Sequence, residues 1–517
     1  MSQRSQSPKP PKKRTGLNVT LVILILLFIA GSAGMIYLCM GIADRYMDSV
    51  PQAQTQKPGP QAPIPQTTVP TTTETQPPET TLPEPEHVVG TATVTSTGDL
   101  LMHTPLYQSK YNSVAYKGPE DYDMSPIFQY VTENMTAPDF MVANLETTLY
   151  GPGKPYSGFP MFNTPDQIVD AAKDAGIDLL LTANNHCNDT GMDGIIRTLD
   201  VIREKGLKTL GTNRSADETK YLIQDVNGVR VGMLCYSYDD SQNSSRQAFN
   251  GNPIYETDRG TVNSFPILQF GKDREPFFKE LEAQIAEMKE EGAQSIVLFL
   301  HWGIEYRLTP TDEQKDLAQK FCDMGVDVIV GGHPHVIEPV ELLTSTTDPS
   351  HKTVCLYSLG NAVSNQRGHI MTKYIPTPHT EDGMLFHLTF EKYSDGTAYL
   401  SHVDVTPTWV NRYNDANQKL VYSIIPLEDG KRDQWKELFD VDDSTLQQME
   451  KSYDRTMELV GEGIDASNAW LQEQKTQRDN AYLAAVGRAP AVQEKVPQET
   501  VSQDTVAETT AAQEEAA

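Results

Sequence analysis

The chain is short of cysteine, and the cysteines that it has are not arranged in pairs. Five occur among 517 residues, and Cys187, Cys235, Cys322 and Cys355 lie in apolar or motif segments without paired spacing. The pattern does not indicate a disulfide framework, and we expect these side chains to be buried as small apolar groups.

Basic residues are scarce as well. Lysine and arginine number 42 against 70 acidic residues, which gives a formal net charge of -28. We expect no nucleic-acid partner, because binding to a phosphate backbone requires a basic surface. A cation-dependent site and simple solubility outside the cell are both consistent with this charge.

Apolar residues make up only 38% of the chain, which indicates long segments that bury nothing. Residues 44–87 are rich in proline, threonine and glutamine, and residues 486–517 are rich in glutamate, glutamine, threonine and alanine. Neither segment has an apolar period. We therefore predict a disordered Pro/Thr-rich stalk and a disordered acidic tail.

One long apolar stretch is present near the start of the chain. Residues 17–43 carry no charge, whereas the preceding tail at 1–16 is basic. Such a stretch can cross a bilayer, and the positive-inside rule places the N-terminus in the cytoplasm and the main domain outside a bacterial cell membrane. Cleavage of a signal peptide near Ala30–Ser32 is the alternative. Because apolar residues continue through Leu38, we expect an uncleaved single-pass signal-anchor.

From residue 88 onward, short apolar runs alternate with amphipathic stretches. This alternation predicts an α/β domain over residues 88–415. The later strands follow one another closely, so we expect the sheets to be mixed. Residues 416–485 are largely polar with a helical period, which predicts a C-terminal helical appendage.

Five of the predicted strands end in a residue that can bind a metal ion. The loops at the carboxyl ends of strands in an α/β sheet converge on one crevice, so we expect these side chains to meet. Oxygen and imidazole donors together suit divalent manganese, iron or zinc. The predicted metal ligands are Asp99, Glu146, Asn185, His301, His333 and His335.

The ordered motifs resemble those of a known superfamily. Gly98-Asp99, Asn144-Leu145-Glu146-Thr147, Asn185-His186, His301-Trp302-Gly303 and Gly332-His333-Pro334-His335 are similar to the motifs of calcineurin-like metallophosphoesterases. The version here looks like the CapA/PgsA family of capsule (poly-gamma-glutamate) biosynthesis, whose late motif resembles Ser358-Leu359-Gly360-Asn361. The resemblance covers about residues 89–410 and implies a sandwich of mixed β-sheets flanked by helices.

The resemblance also implies a role for each residue. Glu146 would bridge two divalent ions, with Asp99 and His335 on one ion and the remaining three ligands on the other. His186 would act beside the metals as an electrostatic stabiliser or general acid. Asp189, Glu305 and Asn361 would orient the imidazoles from outside the metal shell.

Two positions depart from the superfamily pattern. Leu101 stands where a histidine is usual, and the nearest imidazole is that of His103, a possible second-shell residue. The bridging residue is Glu146, where an aspartate is usual. Phosphoester hydrolysis therefore does not follow from the resemblance, and catalytic activity is left open.

Three functions remain candidates at this point. The first is a capsule or poly-gamma-glutamate biosynthesis or export protein that acts on, or binds, an anionic surface polymer. The second is a surface metallophosphoesterase acting on nucleotides, lipids or wall polymers. The third is a non-catalytic assembly partner of membrane synthase subunits.

Overall fold

The computed structural model describes residues 87–242, 246–267, 271–375 and 377–485. The predicted cytoplasmic tail, membrane anchor and acidic tail lie outside these ranges, as does the predicted stalk up to residue 86. Within the described ranges, no helix combines the length and the apolar character needed to cross a membrane.

The described chain alternates strands and helices, as the sequence predicts. The strands are β1 (Val88–Leu100), β2 (Tyr116–Gly118), β3 (Asp121–Tyr122), β4 (Phe140–Leu145), β5 (Leu179–Leu181), β6 (Lys208–Leu210), β7 (Tyr221–Val226), β8 (Val229–Asp239), β9 (Gln247–Phe249), β10 (Asn252–Ile254), β11 (Ser264–Pro266), β12 (Ser295–His301), β13 (Val328–Gly332), β14 (Ile337–Thr344), β15 (Lys352–Leu359), β16 (Asn361–Val363), β17 (Asp382–Tyr393), β18 (Ala398–Asn414) and β19 (Leu420–Pro426). The α-helices are α1 (Thr132–Thr136), α2 (Gln167–Asp174), α3 (Met192–Glu204), α4 (Glu275–Glu290), α5 (Asp312–Asp323), α6 (Gly368–Met371), α7 (Trp435–Leu438) and α8 (Asp443–Ala485). Short 3-10 turns lie at Thr104–Leu106, Ser109–Tyr111, Ser125–Ile127, Gly151–Gly153, Glu256–Asp258, Pro378–Glu381 and Asp429–Gln434.

Two large sheets each combine a parallel part with an antiparallel part. In the first sheet the order is β19-β18-β17-β1-β4-β5-β6, with β16 beside the end of β1. Strands β1, β4, β5 and β6 are parallel, whereas β17, β18 and β19 run antiparallel to their neighbours. In the second sheet the order is β11-β8-β12-β13-β15-β14, with β7 on β8. Here β14 and β7 are the antiparallel strands. The predicted mixed α/β class is confirmed.

The inner faces of the two sheets share one hydrophobic core. Val297 and Phe299 of β12 pack in the same cluster as Val142 of β4. The alternate residues of β12, such as Leu298, instead face a cluster that contains Leu281 of α4. This alternation follows from the period of two along a strand. The sheets therefore pack on each other, and helices cover their outer faces.

The C-terminal part differs from the sequence prediction at its start. Residues 420–426 form β19, which pairs with β18, so the sheet extends past the predicted boundary at residue 415. All seven residues of β19 are buried, and a strand buried on both faces lacks the polar-apolar alternation that would reveal it. Helix α8 packs against β18 and β14, and its Val460 and Ile464 join the core between the sheets.

Candidate metal centre

All six predicted metal ligands lie at the carboxyl ends of strands, at the same edge of the packed sheets. In the first sheet, Asp99 is near the end of β1, Glu146 follows β4 and Asn185 follows β5. In the second sheet, His301 ends β12, and the two other histidines follow β13. Each of the six is at least nine-tenths buried: Asp99, Glu146, Asn185, His301, His333 and His335.

Glu146 lies at the centre of the cluster. Two groups of side chains could each hold a metal ion: Glu146 with His301 and His333, and Glu146 with Asp99 and His335. Within each group the possible ligand atoms lie within 4.8 Å of one another. The Glu146 Oε1 atom is 3.7 Å from Nε2 of His301 and 3.7 Å from Nε2 of His335. The carboxylate is therefore placed where it can belong to both groups.

Two atoms of the cluster have no hydrogen-bond partner among the described residues. They are Oε1 of Glu146 and Nδ1 of His333, and both are buried. Leaving a buried polar atom unpaired costs about 1–3 kcal/mol. A bound cation would satisfy both atoms, and carboxylate and imidazole ligands suit divalent transition metals. The residues present therefore fit a metal ion.

Burial shifts the pKa values of Glu146, His301 and His333 in the direction that favours their neutral forms. It raises the pKa of Glu146 well above its usual value, and the nearby carboxylate of Asp99 raises it further. Burial lowers the pKa of His301 and of His333 well below the usual value, and neighbouring imidazoles add to the effect. A divalent cation would reverse this for the carboxylate, because opposite charge favours the ionised form.

Asn144 forms hydrogen bonds with the carboxylates of both Asp99 and Glu146. It is not among the predicted site residues, although it belongs to the motif Asn144-Leu145-Glu146-Thr147. Its Nδ2 donates to Oδ1 of Asp99 at 2.7 Å and to Oε2 of Glu146 at 3.4 Å. Asn184 donates in turn to Oδ1 of Asn144 at 3.0 Å. The other oxygen of each carboxylate, Oδ2 of Asp99 and Oε1 of Glu146, faces the imidazoles.

The backbone that carries His333 and His335 has an uncommon conformation. Both residues have positive φ, 98° and 57° respectively, and such strain is common at functional sites. Gly331 is required beside them, because a Cβ there would come within 1.9 Å of a carbonyl oxygen. Asn361, predicted to orient an imidazole, instead donates to the backbone oxygen of His335 at 3.2 Å.

His186 lies next to the cluster but in neither of the two ligand groups. Its Nδ1 is 2.8 Å from Oδ2 of Asp189, a residue that the sequence predicts to orient an imidazole. Asn250, in the turn between β9 and β10, places Nδ2 3.4 Å from Nε2 of His186. Its Oδ1 accepts from Nδ2 of Asn185 at 3.2 Å. The edge-on ring of Phe162 is 4.6 Å from the His186 ring.

Two predicted second-shell residues do not orient an imidazole of the cluster. Nδ1 of His103 is 3.3 Å from the Leu101 carbonyl oxygen and 3.3 Å from the backbone nitrogen of Asn365. Burial lowers the pKa of His103 to about 4. Glu305 is exposed, and within the described ranges its carboxylate makes no hydrogen bond to a site histidine. The charge of Glu305 nevertheless contributes to the raised pKa of Glu146.

A cavity of about 720 Å³ opens beside His333. It is bordered by Tyr238, whose ring is 5.0 Å from that of His333 and is stacked on His301 at 6.4 Å. The cavity continues to Arg307 and to the start of α5. This is a route by which a ligand can reach the cluster. No sequence pattern marks Tyr238, because its position depends on how β8 lies beside β12.

The fold and the site together define a class of protein: a mixed α/β domain with a buried histidine and carboxylate cluster that can bind metal. The model of the family described as "Bacterial capsule synthesis protein PGA_cap" matches residues 93–366. That range contains every residue of the cluster, and the chain belongs to this family.

Two curated proteins are similar to the chain over most of this domain. The "PGA biosynthesis protein CapA" of Bacillus subtilis (strain 168) is 29% identical over 332 residues, which cover 62% of this chain and 76% of that protein. The "Capsule biosynthesis protein CapA" of Bacillus anthracis is 28% identical over 285 residues, which cover 53% of this chain and 60% of that protein. The predicted family resemblance is confirmed.

Proposed function

We propose that this protein acts in the biosynthesis or export of an anionic capsule polymer of the poly-gamma-glutamate type, and that its work depends on a divalent metal centre. Family membership and the names of the two Bacillus relatives support the first part. The buried cluster around Glu146 supports the second. The packed mixed sheets with ligands at their strand ends are consistent with a calcineurin-like arrangement.

The single observation that carries the metal centre is the shared carboxylate. Glu146 belongs to both ligand groups and presents a buried oxygen without a hydrogen-bond partner among the described residues. In the proposal, Asp99 and His335 complete the site of one ion, and Asn185, His301 and His333 that of the other. Bound manganese, iron or zinc would supply a water of lowered pKa and would stabilise negative charge on a substrate oxygen.

His186 is the residue that we assign to proton transfer. Asp189 accepts a hydrogen bond from Nδ1 of His186, which fixes the tautomer. Nε2, which lies 3.4 Å from Nδ2 of Asn250, is then the nitrogen that would exchange a proton with a ligand. Asn250 contacts the ring through its Nδ2 atom, and its Oδ1 atom accepts a hydrogen bond from Asn185. The imidazole thus has a fixed orientation beside the cluster without being one of its ligands.

We further propose that residues 17–43 anchor the protein in the cell membrane, with the N-terminus in the cytoplasm and the domain outside the cell. The proposal is supported by the uncharged apolar run and by the basic residues that precede it. Protease added to intact cells should digest the domain and spare the N-terminal tail. Protection of the domain in intact cells would reject this orientation.

The metal centre is tested by the metal content of the full-length protein. We expect Glu146→Ala to lose most of the bound metal, because the substitution removes a ligand from both groups. Glu282→Gln, an exposed change on α4, is the control for the loss of a carboxylate. In cells that make the polymer, the Glu146 variant should also fail to restore capsule in a deletion strain. Equal metal content in both variants would remove Glu146 from its assigned role.

A second candidate function is that of a surface metallophosphoesterase. The pairing of His186 with Asp189 next to the cluster favours it, whereas Leu101 in place of the usual histidine weakens it. The assay is turnover of aryl phosphomonoesters and phosphodiesters by metal-loaded protein, with His333→Ala as the comparison. Equal rates for the two proteins would reject this function.

A further inference from the structure

A second pocket lies at the opposite ends of the strands that carry the metal ligands. It has a volume of about 310 Å³ and is bordered by Ser295, the first residue of β12, and by Lys352, the first residue of β15. His301 is the last residue of the same β12, about 20 Å away along the strand. Arg478 and Trp470, from α8, and Tyr399, from β18, complete the wall. The pocket is therefore separate from the metal centre.

Arg478 gives this pocket its chemical character. Its guanidinium lies over the ring of Tyr399, with Cζ 4.2 Å from the ring centroid, and 5.7 Å from the ring centroid of Tyr393. Two of its nitrogens, Nε and Nη2, are buried without a hydrogen-bond partner among the described residues. These two nitrogens form one edge of the guanidinium, the fork that binds a carboxylate through two parallel hydrogen bonds.

The acidic groups around the pocket are occupied elsewhere. Oδ2 of Asp327 accepts hydrogen bonds from the backbone nitrogen of Ile296 and from Ser295. Oδ1 of Asp348 accepts from Ser350. Glu391 of β17 is bound by Lys475 of α8. No carboxylate of the described residues therefore pairs with the free edge of Arg478.

Besides Arg478, the basic residues on the wall are Lys352 and His351. The Nζ atom of Lys352 lies 6.0 Å from the ring centroid of Trp470. His351 lines the same pocket, with Nε2 3.0 Å from the carbonyl oxygen of Val326. Arg478 and Lys352 both line this pocket. In a chain whose formal net charge is -28, two cations on one wall make it a place where an anionic ligand can bind.

We propose that this pocket binds a carboxylate group of an acidic polymer, with Arg478 as its anchor and the rings of Trp470 and Tyr399 in contact with the adjoining methylene groups. The proposal rests on the proposed function, and it adds a polymer-binding site distant from the metal centre. A gamma-linked glutamate chain offers one free carboxylate per repeat beside two methylene groups, which matches a guanidinium flanked by aromatic rings.

Charge favours a carboxylate over a phosphate at this site. A carboxylate is planar, carries one negative charge and matches the two donors of the free edge. A phosphate group carries up to two charges and has further oxygens that need donors. Asp327 and Asp348 on the wall would repel the additional charge.

The test is the affinity of the full-length protein for a gamma-linked glutamate oligomer, measured by calorimetry. We expect Arg478→Lys to weaken binding about tenfold or more, because lysine keeps the charge and loses the fork. Arg432→Lys is the matched control. Arg432 also lies over two aromatic rings, those of Trp435 and Tyr453, but it pairs with Asp454. Its replacement should leave the affinity unchanged.

Two further measurements locate the ligand. The fluorescence of Trp470 should change on binding, and Trp470→Phe should remove that signal. Removal of metal by a chelator and the Glu146→Ala substitution should both leave the affinity unchanged, because the metal centre is at the other end of the strands. If Arg478→Lys does not fold, as judged by its melting transition, Lys352→Gln replaces it with the same expected direction.

Three results would overturn the proposal. They are equal affinity in wild type and the Arg478 variant, tighter binding of inorganic phosphate than of the glutamate oligomer, and loss of oligomer binding with the chelator. None of these results would alter the conclusion drawn from the metal content and the capsule phenotype of Glu146→Ala. Failure of this site is therefore distinguishable from failure of the proposed function.

Discussion

Replacing Glu146 by glutamine is expected to change the stability of this protein in opposite directions with and without metal. The carboxylate is fully buried, and its Oε1 atom has no hydrogen-bond partner among the described residues. Asp99 lies close enough to raise the pKa of Glu146 further. A neutral amide of nearly the same shape removes the like charge while keeping the packing.

The size of each effect follows from these contacts. Without metal, burying a carboxylate beside Asp99 costs more than burying a neutral amide, although the amide is also left unpaired. The glutamine variant should therefore be more stable than wild type at neutral pH, by about 1–3 kcal/mol. With metal at about a hundred times its dissociation constant, each bound ion adds about 2.7 kcal/mol to the stability of wild type. The variant loses a ligand from both groups and should lose most of that gain.

The pH dependence has a definite sign. Because the pKa of Glu146 is raised in the folded protein, its contribution is most favourable below the unfolded value of 4.5. It becomes less favourable as the pH rises towards the folded value. His301 and His333 have lowered pKa values, so they act in the opposite direction below pH 6.5. The stability difference between wild type and Glu146→Gln should therefore be larger at about pH 7.5 than at about pH 5.

The assay is urea unfolding of the full-length protein at both pH values, in chelator and in excess manganese. Glu282→Gln, which removes an exposed carboxylate from α4, should behave as wild type throughout. A glutamine variant that is less stable than wild type in chelator at the higher pH would refute the reasoning. It would mean that the carboxylate is satisfied by protein groups.

Three other substitutions should separate the ligands from their neighbours. His333→Ala should lose one of the two proposed ions and keep the other, because His333 belongs to only one ligand group; elemental analysis would show it, and retention of both ions would contradict it. His103→Phe should leave the metal content unchanged, since His103 is in neither group; a loss of metal would make it a ligand. Asn250→Ala should weaken metal affinity about tenfold by releasing Asn185; unchanged affinity in a chelator competition would dismiss this support.

The position of the ligands could be predicted from the sequence because of the topology of parallel strands. Asp99, Glu146 and Asn185 follow neighbouring strands of one sheet, and such strands end at one edge. The rule needs no knowledge of the other sheet. His301 and His335 follow strands of the second sheet, and their arrival at the same place depends on how the two sheets pack.

The residues that the sequence did not reveal reach their positions through tertiary contacts. Asn250 is at the tip of a hairpin far along the chain from His186, and only the docking of that hairpin brings them together. Arg478 and Lys352 share a pocket because α8 returns across both sheets. The residues of strand β19 are predicted as part of a helical segment, because complete burial of a strand removes the polar-apolar alternation that would identify it. Local patterns contain none of this information.

The division of the centre between two sheets bears on what it is for. The carboxylates at 99 and 146 belong to the first sheet, and the imidazoles at 301, 333 and 335 belong to the second. A cation held by both can bind only after the sheets have packed, so its binding energy adds to the stability of the packed state. Without a cation, the same residues bury ionisable groups and leave polar atoms unpaired, which well-packed apolar side chains would avoid at lower cost. A cluster that is unfavourable without a cation and that could hold one supports the proposal of a metal centre over a purely structural role.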